Sequence, residues 1–215
     1  MTLDLYAEAQ ALKVVDVWQE GNETGWVTPR VLYDPALKMV PALQRVQFWA
    51  DHGTVGTNTL RFWGEHGSIN NGTWTLANYL IPKEQTQYAD GSLHDTTHTI
   101  FKMVPDGYAC NHLGACIGPI WNGNTIGVEY ESLQNGTHDI SEPQYLKGAL
   151  VYAHDAHALN IPDWFRVTHG LVAIPWGRRS DPWAGKFRIG HSWALIEAIR
   201  QDPRISALWG FQAAN

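Results

Sequence analysis

The sequence predicts an α/β protein with a central mixed sheet flanked by helices. Three observations carry that expectation. Short apolar runs alternate with polar residues at a period of two, as in "NTIGVEYES" over Asn124–Ser132. A longer segment, "SEPQYLKGALVYAHDAHAL", instead repeats its apolar residues at three- and four-residue steps. Segments of the two kinds then alternate along the chain, the order that builds a sheet with helices packed on it.

Each element has its own local reason. Residues 1–20 read as one amphipathic helix, because Leu5, Ala9, Leu12, Val15 and Trp18 recur at helical steps. Gly21–Pro41 holds Gly21, Gly25, Pro29, Pro35 and Pro41 and reads as a loop-rich connection. Residues 1–41 are therefore expected to form an N-terminal helical extension and linker, and 42–215 the main domain. Val46, Phe48 and Ala50 alternate on one strand face, which puts His52 on that face at the strand's end. Thr57–Trp63 looks like the start of a helix. Thr75–Pro82 is a strand, Lys83–Thr97 a polar hairpin or exposed loop, and His98–Pro105 the next strand. In Asn124–Ser132, Ile126, Val128 and Tyr130 share one face, with Thr125, Gly127, Glu129 and Glu131 on the other. Ser141 is an N-cap with Gln144 three residues on, and Leu146, Ala149, Leu150 and Ala153 form the apolar face of the helix that follows. "WFRVTHG" is a short strand ending at His169, and a last helix runs from about Ser192 to Arg200, ahead of Pro203.

Bulk properties exclude several partners. The 215 residues are 44% hydrophobic and 17% charged, the make-up of a globular chain with a sizeable core. A net charge of -6 offers no electrostatic footprint for a phosphate backbone, so nucleic acid is not an expected partner. The first residues lack a basic stretch ahead of an apolar run, so no secretory signal is expected. No run reaches the ~18 apolar residues of a membrane span, and a soluble monomer made in a cytoplasm is expected. The two cysteines, Cys110 and Cys116, are expected to be free thiols in a reducing compartment, and two are too few for a four-cysteine zinc site. Trp74, Trp121, Trp176 and Trp183 lie in loop-like segments. They suit core and loop packing or a groove for an amphipathic ligand such as a sugar chain.

Most of the ten histidines call for no special role. His154 and His157 are three apart on the long helix, but no third ligand accompanies them. His94, His98, His138 and His191 read as surface residues, and His66 in "GEHGS" is a weak competitor for ligand status. His52 and His169 differ, since each closes an expected strand, the usual place for a functional side chain in an open α/β sheet. Asp181 follows in "VTHGLVAIPWGRRSDP". Two histidines and a carboxylate make a three-ligand set, which for zinc leaves a catalytic position open.

The order of these pieces resembles a known family. It runs from "ADHGT" through "ANYLIP", "TIFKMVPD", "CNHLG" and "NTIGVEYE" to a capped helix, "VTHG" and "GRRSDP". It is similar to the zinc-dependent N-acetylmuramoyl-L-alanine amidases of the peptidoglycan-recognition-protein type, small phage lysins among them, over roughly Val46–Pro182. The most specific pieces are "NTIGVEYE" and "VTHG…GRRSDP". The resemblance implies that His52, His169 and Asp181 hold zinc, although an offset of one would place Asp51 in the first ligand position. It implies that Glu129 is the catalytic glutamate and that Arg179 stands where the family commonly has a catalytic lysine. Arginine cannot shuttle protons, so Arg179 would stabilise an oxyanion only. His112 matches a histidine of a loop lining the substrate cleft, Asn78 a strand residue that is often histidine, and Arg178 is a further substrate-binding candidate. Trp183 stands where the family usually has glycine.

What the resemblance implies is hydrolysis of the amide between the lactyl group of N-acetylmuramic acid and L-alanine in peptidoglycan. The expected setting is a phage-type lysin reaching the bacterial cell wall, with a cytoplasmic recycling amidase as the other possibility. A catalytically inactive peptidoglycan-binding module of the same fold and a zinc endopeptidase of the stem peptide are the alternatives.

Overall fold

The computed structural model describes residues 3–17, 45–54, 56, 59–60, 63, 77–88, 90–104, 109–110, 112–132, 140–175, 181–182 and 187–210. Eight strands are formed among them: β1 (Lys13–Asp16), β2 (Phe48–Gly53), β3 (Tyr79–Ile81), β4 (Gln85–Gln87), β5 (Leu93–Asp95), β6 (Thr99–Lys102), β7 (Thr125–Tyr130) and β8 (Arg166–Thr168). Six of them make one sheet in the order β1-β6-β3-β7-β2-β8. Only the β3–β6 pairing is antiparallel, so the sheet is mixed as expected. The polar excursion of Lys83–Thr97 is a hairpin, with β4 and β5 paired antiparallel.

The helices are α1 (Leu5–Ala11), α2 (Glu142–Leu159), α3 (His169–Val172), α4 (Ile189–Gln201) and α5 (Pro203–Leu208). α2 starts where the sequence says it should. The Ser141 side chain accepts from the Gln144 backbone N–H and the Gln144 side chain accepts from the Ser141 N–H, closing a capping box. Asn160 ends it at φ 53°, in the left-handed region that asparagine tolerates. Gly148 lets α2 lie close on the sheet, because a Cβ there would fall 2.0 Å from the Tyr130 hydroxyl oxygen.

The two faces of the sheet are covered differently. Trp49, Tyr79, Ile81, Ile100, Ile126, Val128 and Tyr130 face α2, α4 and α5 in one large apolar cluster. Burying each large side chain of this kind stabilises the fold by about 1.5–3 kcal/mol. The opposite face carries two smaller clusters, one around Leu80, Phe101 and Met103 and one of Ala50, Leu113 and Val172. Polar groups gather on this second face at the β7–β2–β8 end.

Two expected elements come out differently. The helix read over 1–20 stops at Ala11, and Lys13–Asp16 is the edge strand β1, parallel to β6. Val15 fits a helical stripe with Leu12, yet Val15 and Val17, two residues apart, both bury almost completely against Leu80 and Phe101 of the sheet. The strand read to His169 ends at Thr168, and His169 opens the one-turn helix α3. The helix expected from Thr57 lies largely outside the described residues, as do His66, His138, Trp74, Trp176 and Trp183. Cys110 and Cys116 form no disulfide, and burial pushes the Cys110 thiol up.

Candidate metal centre

The site grows from the end of β2. In this strand Asp51 and His52 leave opposite faces, as period-two alternation requires. Asp51 points to the helix side, where the Arg166 Nε donates to it at 2.8 Å and the Trp49 Nε1 at 3.2 Å. His52 points to the other face and is 1% exposed. The alternative first ligand, Asp51, is therefore on the wrong side of the sheet.

His169 and Asp181 meet His52 there. β8 runs parallel to β2 with Thr168 opposite Asp51, so the next residue, His169, emerges beside His52. Asp181 returns to the same point because the Gly170 N–H donates to its backbone carbonyl at 2.9 Å. One carboxylate oxygen, Oδ2 of Asp181, then lies 3.2 Å from Nδ1 of His52 and 3.0 Å from Nδ1 of His169. All three candidate ligand atoms fall within 4.8 Å of one another.

The outer nitrogens of both rings are already committed. Nε2 of His169 donates to the Leu113 carbonyl at 2.8 Å. Nε2 of His52 lies 2.9 Å from Nδ1 of His112, whose own Nε2 donates to the Thr125 carbonyl at 3.3 Å. Leu113 and His112 are pinned in turn by Asn122, whose Oδ1 accepts both backbone N–H groups at 3.0 and 3.1 Å.

The donor set fits a metal ion. Bonds of about 2.0–2.1 Å in a tetrahedral shell space neighbouring ligand atoms about 3.3 Å apart, close to the two nitrogen–oxygen separations found here. Two imidazoles whose outer nitrogens are held by hydrogen bonds offer their inner lone pairs, the arrangement that orients metal-binding histidines. Electrostatics favour the ligand-competent charges. Burial lowers the His52 pKa, with the His169 ring adding to this and Asp181 opposing it. Burial opposes ionisation of Asp181, but the His169 and His52 rings beside it outweigh this and hold the carboxyl well below the usual range.

Glu129 stands directly opposite His52 in the β2–β7 register and leaves the same sheet face, one strand spacing of about 4.8 Å away. It is partly exposed. Glu131, next on that face, is buried and accepts from the Thr59 and Lys83 N–H groups and from the Thr86 hydroxyl. Of the two glutamates in "GVEYE", the second is therefore a structural anchor. Asn78 is 4% exposed and accepts the Gly127 N–H at 2.9 Å, so its side chain is built into the β3–β7 junction rather than presented at a surface. His112 is likewise buried behind His52. Arg178 and Arg179 lie outside the described residues. Sequence reasoning passed over Asn122, Thr125 and Gly127; the "WNGN" turn was the available signal for the first of these.

No protein-family model and no characterised protein sequence matches this chain. Solved structures do share its fold. The N-acetylmuramoyl-L-alanine amidase LysC from Clostridium intestinale URNW is 15% identical with a TM-score of 0.54, covering 74% of this chain and 89% of its own. A selenomethionine derivative of AmpD is 16% identical with a TM-score of 0.52, covering 73% and 85%. The amidase AmiD from E. coli is 17% identical with a TM-score of 0.52, covering 72% of this chain and 58% of its own. AmiD was crystallised with its substrate, anhydro-N-acetylmuramic acid-L-Ala-D-γ-Glu-L-Lys.

Proposed function

We propose that this protein is a zinc-dependent peptidoglycan amidase, cleaving the bond between the lactyl group of N-acetylmuramic acid and L-alanine. The reading is carried by one observation: a single Asp181 oxygen within 3.2 Å of inner nitrogens from two buried histidines. The fold shared with several peptidoglycan amidases supports the choice of substrate, as does the order of motifs in the sequence.

In this reading Nδ1 of His52, Nδ1 of His169 and the Asp181 carboxylate hold the ion. When bound, zinc supplies positive charge that lowers the pKa of a water towards ~7 and polarises the scissile carbonyl. Glu129 takes up the water's proton on its carboxylate and hands it to the departing amine of L-alanine. An amide nitrogen leaves poorly unless protonated, so this transfer is as necessary as the attack itself. Arg179, two positions before Asp181 in the sequence, would supply a fixed positive charge to the carbonyl oxygen as negative charge develops, with Arg178 as a further substrate-binding residue. The site of action is the bacterial cell wall, in the manner of a phage lysin.

The test is digestion of purified peptidoglycan by the zinc-loaded protein, with products identified by mass spectrometry. New L-alanine amino termini on intact stem peptides are expected. Shortened stem peptides would identify an endopeptidase instead, and binding without cleavage an inactive wall-binding module.

A further inference from the structure

His112 makes two hydrogen bonds that leave it no choice of tautomer. The Thr125 carbonyl has only lone pairs to offer, so Nε2 of His112 must carry the proton it donates. In the neutral ring Nδ1 is then bare and can only accept. Its neighbour at 2.9 Å is Nε2 of His52, which must therefore be the protonated nitrogen of that ring. What remains on His52 is an unprotonated Nδ1, aimed at Asp181. The reverse order would put the His52 proton on Nδ1 and donate it to Asp181, closing off the ligand atom.

The chain builds a bed for this ring. His112 packs on Gly127 of β7, where a Cβ would lie 2.6 Å from both Cγ and Nδ1 of the imidazole. Its rim meets His52 nearly edge-on, with ring centroids 5.0 Å apart and planes at 82°. His169 reaches the same end by a simpler route, through the Leu113 carbonyl.

We propose that His112 is a positioning residue for the metal centre: it accepts the Nε2 proton of His52 and so fixes the tautomer that presents Nδ1 to the ion. It acts through His52 and touches neither metal nor substrate. This rests on the metal-centre reading above. It also assigns the "CNHLG" histidine a place behind the ligand rather than in the cleft, and explains why glycine occupies position 127 in "NTIGVEYE".

The experiment uses the full chain with 15N-labelled histidine. Long-range proton–nitrogen spectra of the zinc-free protein at about pH 8 report each tautomer, and competition with a chromophoric chelator reports zinc affinity. In the native protein His52 is expected as the Nε2–H form. His112→Leu removes the acceptor; His52 then becomes Nδ1–H, zinc binds about 10–100-fold more weakly, and His169 keeps its tautomer. His112→Asn returns an acceptor oxygen near the Nδ1 position and recovers most of the affinity. Should His112→Leu fail to fold, Gly127→Ala displaces the ring without removing a nitrogen, and it too should weaken zinc binding. Unchanged zinc affinity and His52 tautomer in His112→Leu would overturn the inference. So would a His112→Asn protein as weak as His112→Leu, or full affinity in Gly127→Ala. A native protein that binds no zinc would instead overturn the metal centre itself.

Discussion

Asp51 and His52 are neighbours in the chain, yet their side chains serve opposite ends. Asp51 meets Arg166 on the helix side, both side chains fully buried, with Tyr152 and Trp193 rings 4.9 and 5.4 Å from the guanidinium. That cation is permanent, and it completes the carboxylate. His52 meets Asp181 and His169 on the other side, where the carboxylate faces two bases that are neutral when unprotonated. Each pairing puts a carboxylate beside nitrogen, but only one leaves lone pairs converging on a point. A pair closed by fixed charge is structural; a cluster left short of positive charge is a place for an ion.

That contrast can be broken by substitution on either side. The largest effect is expected from His169→Ala. Loss of a ligand removes the several kcal/mol of charge stabilisation that a metal gives, so peptidoglycan hydrolysis should fall about a thousandfold or more. The melting temperature of the zinc-free protein should change little, and both are read from product release and calorimetry. Asp51→Ala should do the reverse. It strands a buried guanidinium and is expected to cost about 3–5 kcal/mol in denaturant unfolding, with zinc stoichiometry unchanged in the folded fraction. Stability unaffected by Asp51→Ala would remove the distinction between the two faces.

Glu129→Gln sharpens the picture within the site. It keeps the shape and deletes the proton acceptor, so turnover should drop about a hundredfold while zinc remains bound at one per chain. Metal loss in this variant would mean that Glu129 serves the ion rather than the proton.

The smallest effect is graded by pH. Burial lowers the pKa values of His52 and His112 in the folded chain relative to about 6.5 when unfolded. Between those values the unfolded chain binds more protons, so stability is full above about pH 6.5 and declines as pH falls below it. Asp181, held low, contributes in the same direction only once pH falls below the ordinary carboxylate range near 3.9. Thermal melts of the zinc-free protein should therefore stay level from pH 8 to about 6.5 and decline from there towards pH 5, and added zinc should move the decline to lower pH. A stability maximum near pH 5 would contradict the placement of these rings.

Much of this was legible in the sequence, for local reasons. The capping box at Ser141 and Gln144 announces α2, and alternation through Val46, Phe48 and Ala50 puts His52 on its true face. His52 and His169 stand out because expected strands end at them, and Asp181 joins them through the order of motifs. What escaped was whatever depends on distant partners. Lys13–Asp16 reads as helix because Leu12 and Val15 are three apart, whereas pairing with Thr99–Lys102 decides the matter from far along the chain. His112 looks like a turn residue beside Cys110, because nothing local reveals that its ring lies on Gly127 and against His52. Glu129 and Glu131 share a face in any strand reading, and only the Thr59, Lys83 and Thr86 contacts separate anchor from candidate base.

The most direct measurement is anomalous X-ray diffraction at the zinc absorption edge from crystals of the zinc-loaded protein. One ion is expected, bonded to Nδ1 of His52, Nδ1 of His169 and a carboxylate oxygen of Asp181. An ion bound elsewhere, or these three side chains closed on one another with zinc in excess, would contradict the account.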